Sequence, residues 1–271
     1  MSPNRHTSRP ASPAEFAAPT AAIAATRFDL ADGDRFDEHQ HHEHQLAWAS
    51  HGVVTMGVGA TAWVLPRSRA LWIPAGVRHD VEVTGNTTMM GLYFDPAACP
   101  IPWREPTVVE TTGLLGHLLE HLTADLAGDH RRRVERVVFD LFRPVPVSRL
   151  ELPELIDDRT VRVAVALRAA PHDDRSLDAW GRQVGASGRT LARIIERETG
   201  MGFTQWRTRL RMAAALPLLA AGTSVSRVAP QVGYATPSAF VAAFRRTLGT
   251  SPGAYFAAAP PAAPSPDPTT L

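Results

Sequence analysis

The chain has 271 residues, of which 44% are apolar, and this suits two packed domains of modest size. Its single cysteine excludes an intrachain disulfide and a thiolate metal cluster. The net charge of +1 hides an asymmetry, because residues 1–158 carry 14 arginines and 21 acidic residues, whereas residues 159–256 carry 14 and 5. The asymmetry predicts that only the second half of the chain meets a polyanion.

The two ends of the chain lack a regular pattern. Residues 1–25 are rich in Ala, Pro, Ser and Thr without periodicity, and residues 257–271 are similar, so we expect both tails to be disordered.

The segment that follows the N-terminal tail favours short strands. Over residues 26–106, the segments VVTMGV, TAWVL, ALWIP, DVEVT and TMMGLYF are β-branched or aromatic and are separated by Gly, Pro and Asn. Evenly spaced short strands are typical of an all-β barrel or sandwich.

Helical periodicity begins in residues 107–145. Leucines recur at helical spacing over Leu114–Leu122, and a second amphipathic run covers Arg131–Phe142. This spacing fits packing on the barrel and contact with a second subunit equally well, so both interpretations stay open. Prolines then interrupt the pattern, and we expect a linker over residues 146–156. There is no apolar segment typical of a signal peptide or a membrane span, and we expect a cytoplasmic protein.

Residues 157–256 are helical almost throughout, and their first part contains a helix-turn-helix pattern. In Ser176–Gly200, Ser176 and Ser187 are placed to cap two short helices, and Gly185 supplies the turn between them. The second helix carries arginines close to its start on the side opposite its apolar stripe. A short helix, a glycine turn and an arginine-bearing helix are typical of a helix-turn-helix unit.

A second unit of the same kind occupies Thr223–Gly249. Ser224 and Thr236 are the predicted caps, and Gly233 is the predicted turn. Pro237 takes the first helical position, which prolines favour.

Together these segments resemble the DNA-binding domain of the AraC/XylS regulator family over residues 157–256. The resemblance implies two recognition helices, joined by one long helix, in successive major grooves of the duplex. Three residues depart from the family pattern: Gly181 replaces an alanine, and Pro217 and Pro230 stand where helix interior is expected. The matching positions are Trp206, Arg207, Leu210, Arg211, Ala215, Leu218, Leu219, Gly222, Val228, Ala229, Gly233, Tyr234, Ser238, Phe240, Phe244, Arg245, Gly249, Pro252 and Tyr255.

The candidate DNA contacts follow from this resemblance and from side-chain chemistry. Arg189 and Arg193 are the best candidates for guanine recognition, because a guanidinium can span O6 and N7. Five other arginines, Arg207, Arg209, Arg211, Arg245 and Arg246, are predicted phosphate contacts. The predicted DNA-binding set is Ser187, Arg189, Thr190, Arg193, Arg207, Arg211, Thr236, Ser238, Arg245 and Arg246.

A histidine-rich segment in the predicted barrel is the other chemically informative feature. His39 and His41 would point to the same face of a strand, and His79 follows in the separate segment PAGVRH. The pattern resembles the two motifs of the cupin barrel, which implies that these histidines gather inside it, with Gln45 where metal cupins usually have Glu. His42 and His44 have the opposite parity and are expected to face outward.

Three neutral imidazoles would suit Zn²⁺, Ni²⁺, Fe²⁺ or Cu²⁺. The alternatives are an organic effector without a metal and a structural remnant of the barrel. We therefore predict a metal or effector site at His39, His41, Gln45 and His79.

The sequence thus predicts an α+β multidomain protein. Its N-terminal all-β cupin barrel (a double-stranded β-helix) with following helices precedes an all-α domain with two helix-turn-helix units. The predicted function is a bacterial transcription regulator that binds double-stranded promoter DNA and responds to a small molecule or metal. We expect the protein to form a homodimer and to contact RNA polymerase, and we expect no membrane partner. A metal-dependent cupin enzyme is the alternative, although it leaves the basic helical half unexplained.

Overall fold

A computed structural model describes residues 22–256, apart from Thr112, Asp125 and residues 146–149. Within these residues an antiparallel β-domain is followed by two helices and then by an all-helical domain, which confirms the predicted α+β class. Most of the predicted tails, residues 1–21 and 257–271, lies outside the described residues. No described helix combines the length and apolarity that crossing a membrane requires.

The β-domain is a single antiparallel sheet in which two long strands pair with each other and organise the others. The strand order is β1-β6-β3-β4-β8, with β2 also on β6 and with β5 between β3 and β7. The ladder between the two long strands has register shifts between Ala49 and Val53, which are typical of the β-bulges at which strands bend. The strands are β1 (Ile23–Leu30), β2 (Arg35–His39), β3 (His44–Val58), β4 (Thr61–Pro66), β5 (Arg69–Ile73), β6 (His79–Phe94), β7 (Thr107–Glu110) and β8 (Leu150–Glu151).

Strand alternation gives the sheet two buried faces. The inner face holds residues such as Ala47, Leu71 and Val81, which form the core of the barrel. The outer face carries Trp48 and Trp72 and is covered by α1 (Leu114–His121) and α2 (Gly128–Leu141).

The leucine stripe of α1 packs mainly onto the barrel. Leu115, Leu119 and Leu122 lie in the outer core and are at most 3% exposed, whereas Leu114 is 57% exposed. Most of the stripe is therefore accounted for by packing within the chain. Contact of this helix with a second subunit stays a prediction.

The helical domain contains two apolar cores joined by one long helix. Trp180 and Trp206 centre the first core, and Phe240 and Phe244 centre the second. The connecting helix α6 has 18 residues, a length of about 27 Å at 1.5 Å per residue. The helices are α3 (Asp158–Ala169), α4 (Leu177–Val184), α5 (Gly188–Thr199), α6 (Phe203–Ala220), α7 (Val225–Gln231), α8 (Pro237–Leu248) and α9 (Pro252–Phe256).

Three of the four predicted helix caps make their hydrogen bonds. The hydroxyls of Ser176, Ser187 and Thr236 accept from the backbone N–H groups three residues later. Gly185 ends α4 in the left-handed conformation with φ of 75°, as a glycine turn requires. Ser224 is the exception, because its side chain makes no cap bond and its hydroxyl lies 3.1 Å from that of Ser226.

The predicted barrel range leaves out parts of the sheet, because strand pairing joins residues that are distant in sequence. The barrel was placed at residues 26–106, but β1 begins at Ile23, inside the predicted tail, and pairs with β6. Strand β7, assigned to the helical segment 107–145, pairs with β5. The predicted linker 146–156 contains β8, which extends the sheet by pairing with β4.

Candidate nucleic-acid interface and metal centre

Helix α5 presents the side chains with the greatest capacity for base recognition. Ser187 caps this helix by accepting from the backbone N–H of Thr190 at 3.1 Å, and its hydroxyl also lies 2.9 Å from that of Thr190. Leu191 and Ile195 anchor the opposite side in the first core. Arg189 and Arg193 are exposed on the free side, one turn apart, in the position that a recognition helix uses to reach base edges.

Helix α8 presents a surface of a different character. Thr236 is occupied as the N-cap, and Ser238 is exposed in the first turn. Its exposed neighbours Ala239 and Ala242 carry no hydrogen-bonding side chain. Arg245 and Arg246, near the end of the helix, are exposed and stay candidates for phosphate contact.

Two arginines predicted to contact phosphate also donate hydrogen bonds within the protein. Arg211 donates to the carbonyl oxygens of Pro171 at 2.9 Å, Gly233 at 3.1 Å and Asp173 at 3.2 Å. Arg209 donates to the carbonyl of Glu151 at 2.8 Å. Arg211 therefore braces the helical domain through three backbone carbonyls, whereas Arg209 uses one of the five donors of its guanidinium. The phosphate contacts predicted for both arginines stay predictions.

Arg207 is partly engaged in contacts within the protein. It is half-buried, donates to the carbonyl of Arg175 at 3.0 Å, and its guanidinium lies 4.9 Å from the ring centre of Phe203. Its remaining donors leave the predicted phosphate contact open.

The structure brings together the three histidines that the cupin resemblance implied. His39 and His79 face each other across the β2–β6 ladder, with ring centres 4.4 Å apart. The ring of His41 lies 5.0 Å from that of His39 and 5.3 Å from that of His79. One nitrogen from each ring lies within 4.8 Å of the others.

Backbone contacts orient two of these imidazoles toward a common centre. The Nδ1 atoms of His39 and His79 lie 2.7 Å and 3.0 Å from the carbonyl oxygens of Asp37 and Val77. A carbonyl oxygen only accepts, so both Nδ1 atoms carry the hydrogen and both Nε2 lone pairs are available. Burial lowers the pKa of His79 to about 4, so this imidazole is neutral at neutral pH.

These features fit the requirements of a transition-metal ligand set. Metal-bound histidines usually donate their second nitrogen to a carbonyl or carboxylate, as His39 and His79 do. A tetrahedral ion with bonds of about 2.1 Å separates its nitrogens by about 3.4 Å, so small side-chain rotations suffice to close the site. The donor set is three imidazoles, which suit the divalent ions predicted from the sequence.

Two further polar side chains lie within the barrel. Gln45 is 2% exposed and lies directly opposite Tyr93 in the β3–β6 ladder. Neither the Gln45 Oε1 atom nor the Tyr93 hydroxyl has a hydrogen-bond partner among the described residues. The Tyr93 ring lies 5.1 Å from that of His41, and burial raises the pKa of its phenol to about 12, which keeps the hydroxyl protonated.

Tyr93 was not predicted from the sequence, because only the strand register places it beside the histidines. The two other histidines of the segment are outside the cluster, although strand parity is not the reason. Strand β2 ends at His39 and β3 begins at His44, so His41 lies between the strands and not on the strand predicted to carry it with His39. His42 is exposed, as predicted. His44 lies on the outer face beside Trp72 but is half-buried there, since its Nδ1 accepts from the N–H of Ala75 at 2.9 Å and its ring lies 5.1 Å from that of Trp72.

Comparison with known proteins matches both halves of the chain. Residues 26–136 match the family described as an AraC-like ligand binding domain. Residues 180–258 match a helix-turn-helix domain family.

Similar proteins include transcription regulators. The HTH-type transcriptional regulator NimR of Escherichia coli strain K12 is 34% identical over 222 residues, covering 81% of each chain. The HTH-type transcriptional regulator RipA of Corynebacterium glutamicum is 38% identical over 109 residues, covering 40% of this chain and 33% of RipA. Among solved structures, ToxT of Vibrio cholerae O395 matches 86% of this chain and 96% of its own, with 12% identity and a TM-score of 0.36.

Proposed function

The chain belongs to the AraC family of DNA-binding transcription regulators, and from this premise we propose that a transition metal held by three barrel histidines controls its binding to promoter DNA. The family assignment makes it a regulator and not an enzyme, so the cupin-enzyme alternative is set aside. The observation that carries the proposal is the orientation of His39 and His79, whose Nδ1 hydrogens are committed to carbonyls while their Nε2 lone pairs are available.

The histidines would act by holding the ion, and the chain would respond by a shift in population. A bound ligand changes DNA binding only if it prefers the DNA-competent arrangement of the two domains. The ion, Zn²⁺, Ni²⁺, Fe²⁺ or Cu²⁺, would supply a positive charge and an open coordination position. Tyr93 and Gln45, with buried unpartnered oxygens, are placed to hydrogen-bond a molecule in the barrel.

These same two side chains support a second candidate, an organic effector bound without a metal. A hydroxyl and an amide oxygen buried without partners each cost free energy unless a ligand or water satisfies them. A small polar molecule in the barrel would satisfy both groups and also the imidazoles.

We further propose the cellular setting of this activity. Promoter DNA places the protein in the bacterial cytoplasm, and RNA polymerase is the expected neighbour at the promoter. A homodimer would double the number of bound half-sites and raise the overall affinity without new contacts.

Elemental analysis of the purified, tag-free chain tests the metal. We expect about one equivalent of a transition metal per chain, lost in the His39→Ala/His41→Ala double variant. His42→Ala is the matched control, because His42 is exposed and lies outside the cluster, and it should keep the metal. Circular dichroism establishes that both variants fold.

The opposite result is equally clear. No metal in the wild-type chain after reconstitution with each of the four ions would contradict a metal centre and favour the organic effector. Equal metal content in all three proteins would place binding elsewhere on the chain.

A further inference from the structure

The two helix-turn-helix units differ in how they are joined to the barrel. The core of the second unit, around Leu216 and Phe244, includes Val53 and Val64 from the barrel and Leu150 from β8. Leu150 is 2% exposed, and the two barrel valines are at most 4% exposed. Among the described residues, the buried core of the first unit contains no barrel residue, and its contribution from the linker is Leu155.

The linker also joins the barrel to the long helix α6, whose Trp206 belongs to the first core. Its strand β8 pairs with β4, and the N–H of Leu152 donates to the carbonyl of Ala60 at 2.8 Å. On its other side, Arg209 and Trp206 of α6 donate to the carbonyls of Glu151 and Pro153 at 2.8 Å and 3.1 Å. The linker is therefore an added strand of the sheet to which the long helix is hydrogen-bonded.

A buried positive charge lies at this interface. Arg69 begins β5 and is 8% exposed, with its guanidinium 5.4 Å from the ring centre of Tyr255 in the helical domain. Its Nη1 atom has no hydrogen-bond partner among the described residues. Burial lowers the pKa of Arg69, and the nearby Tyr255 and Glu110 only partly offset this effect. Removing a guanidinium from water without a hydrogen-bonded carboxylate disfavours the buried state.

The same strand leads directly to the imidazole cluster. At its far end, Ile73 pairs with Gln45, and the following turn ends at His79. Within this turn, the N–H of Gly76 donates to the carbonyl of His41 at 2.8 Å. A five-residue strand thus joins the histidine site at one end to the domain interface at the other.

We propose that docking of the second helix-turn-helix unit on the barrel is a balanced equilibrium, favoured by the apolar contacts of Leu150, Val53 and Val64 and opposed by the burial of Arg69. The sensor domain then controls the position and stability of α8, while the first unit keeps its structure independently. This inference goes beyond the proposed function, because the docking equilibrium exists whether or not the barrel binds a metal.

Hydrogen–deuterium exchange of the full chain, followed by mass spectrometry, tests the proposal with three variants. Leu150→Ala removes an apolar contact of the second core, and we expect at least about tenfold faster exchange in α7–α9 with α4 and α5 unchanged. Leu155→Ala is the matched control five residues later in the same linker. It should accelerate exchange in α3–α5 and leave α7–α9 unchanged.

Arg69→Met should change the exchange rate of α7–α9 in the opposite direction. Methionine keeps much of the length and apolar volume of the side chain and removes the buried charge, so exchange in α7–α9 should become slower by several fold. Faster exchange in α7–α9 of Arg69→Met would overturn the proposal, since Arg69 would then hold the interface together. Equal acceleration of both units by Leu150→Ala would also overturn it, because the two units would then unfold together.

Discussion

The two helix-turn-helix units have the same order of helices. They differ in their helix caps, in the completeness of their cores and in the side chains that their second helices expose. In the first unit, both helices have side-chain caps, the core is complete without the barrel, and Arg189 and Arg193 are exposed on α5. In the second, α7 lacks a side-chain cap and the barrel completes the core. The start of α8 exposes Ser238 and alanines where α5 exposes arginines.

The comparison supports the proposal that sequence recognition and regulation lie in different units. Base recognition requires donors and acceptors that reach the major groove, and α5 carries them. Regulation requires an element whose position depends on the sensor, and the second unit has that dependence through its shared core. Four predictions test this division, and they are given in order of decreasing effect.

The largest effect is expected for Arg193→Ala in the first unit. Loss of a bidentate guanine contact should weaken binding to a selected site by about 1–3 kcal/mol and relax the preference at one base pair. Arg245→Ala is the comparison, expected to weaken binding to selected and random duplexes alike. Fluorescence anisotropy with sites selected from a random pool measures both; equal losses on both duplexes for Arg193→Ala would make that residue a phosphate contact.

Gly181→Ala should destabilise the first unit although alanine is the better helix former. A Cβ at Gly181 would overlap the carbonyl oxygen of Ala186, in the turn before α5, and would lie 3.1 Å from the backbone nitrogen of Gly188. Relieving that overlap is expected to cost about 1–3 kcal/mol, more than the gain of about 1 kcal/mol in helix propensity.

Thermal unfolding measures this change, with Gly253→Ala in α9 as the control. A Cβ at Gly253 meets nothing within 4 Å, so this variant should be neutral or slightly stabilised. A higher Tm for Gly181→Ala would show that the turn relaxes freely and that the first unit is less rigid than the comparison requires.

Pro217→Ala should stabilise the second half of the helical domain. Helix α6 continues through Pro217 to Ala220, but proline supplies no N–H to the carbonyl four residues earlier. Restoring that donor should raise the free energy of unfolding by about 1–2 kcal/mol, measured by urea denaturation. A loss of stability would mean that α6 needs the proline to fit against the barrel.

The smallest effect is expected for Ser238→Ala in α8. If the second unit contributes little base recognition, removing this hydroxyl should change binding to the selected site by less than about 0.5 kcal/mol. The same anisotropy assay applies. A loss of about 1 kcal/mol or more, limited to one base pair, would give α8 a direct role in recognition and remove the division between the units.

Local features of the fold could be predicted from the sequence because their causes are local. The caps at Ser187 and Thr236, the turn at Gly185 and the arginines of α5 depend on residues within one or two turns of helix. The inward positions of Gln45 and Ala47 likewise follow from a period of two along β3. The sequence shows that Gly181 departs from the family pattern. The close approach of the Ala186 carbonyl, which leaves no room for a Cβ there, is visible only in the geometry of the turn.

Features that depend on distant pairing could not be predicted in this way. The internal hydrogen bonds of Arg209 and Arg211 could not be predicted, because the carbonyls they bind lie 58 residues away for Arg209 and 22 to 40 residues away for Arg211. Tyr93 lies beside the imidazole cluster because β6 pairs with β3 in a register that places Tyr93 opposite Gln45.

The sequence by itself therefore determined the family, the two helix-turn-helix units and the histidines of the barrel, since these follow from residue types at short fixed spacings. Only the tertiary structure decided that the linker becomes a strand of the sheet, that Arg69 is buried against Tyr255 and that the barrel completes the second unit. The physical reason is that a hydrophobic core and a strand register are collective properties. Each residue's burial there depends on partners that chain spacing does not reveal.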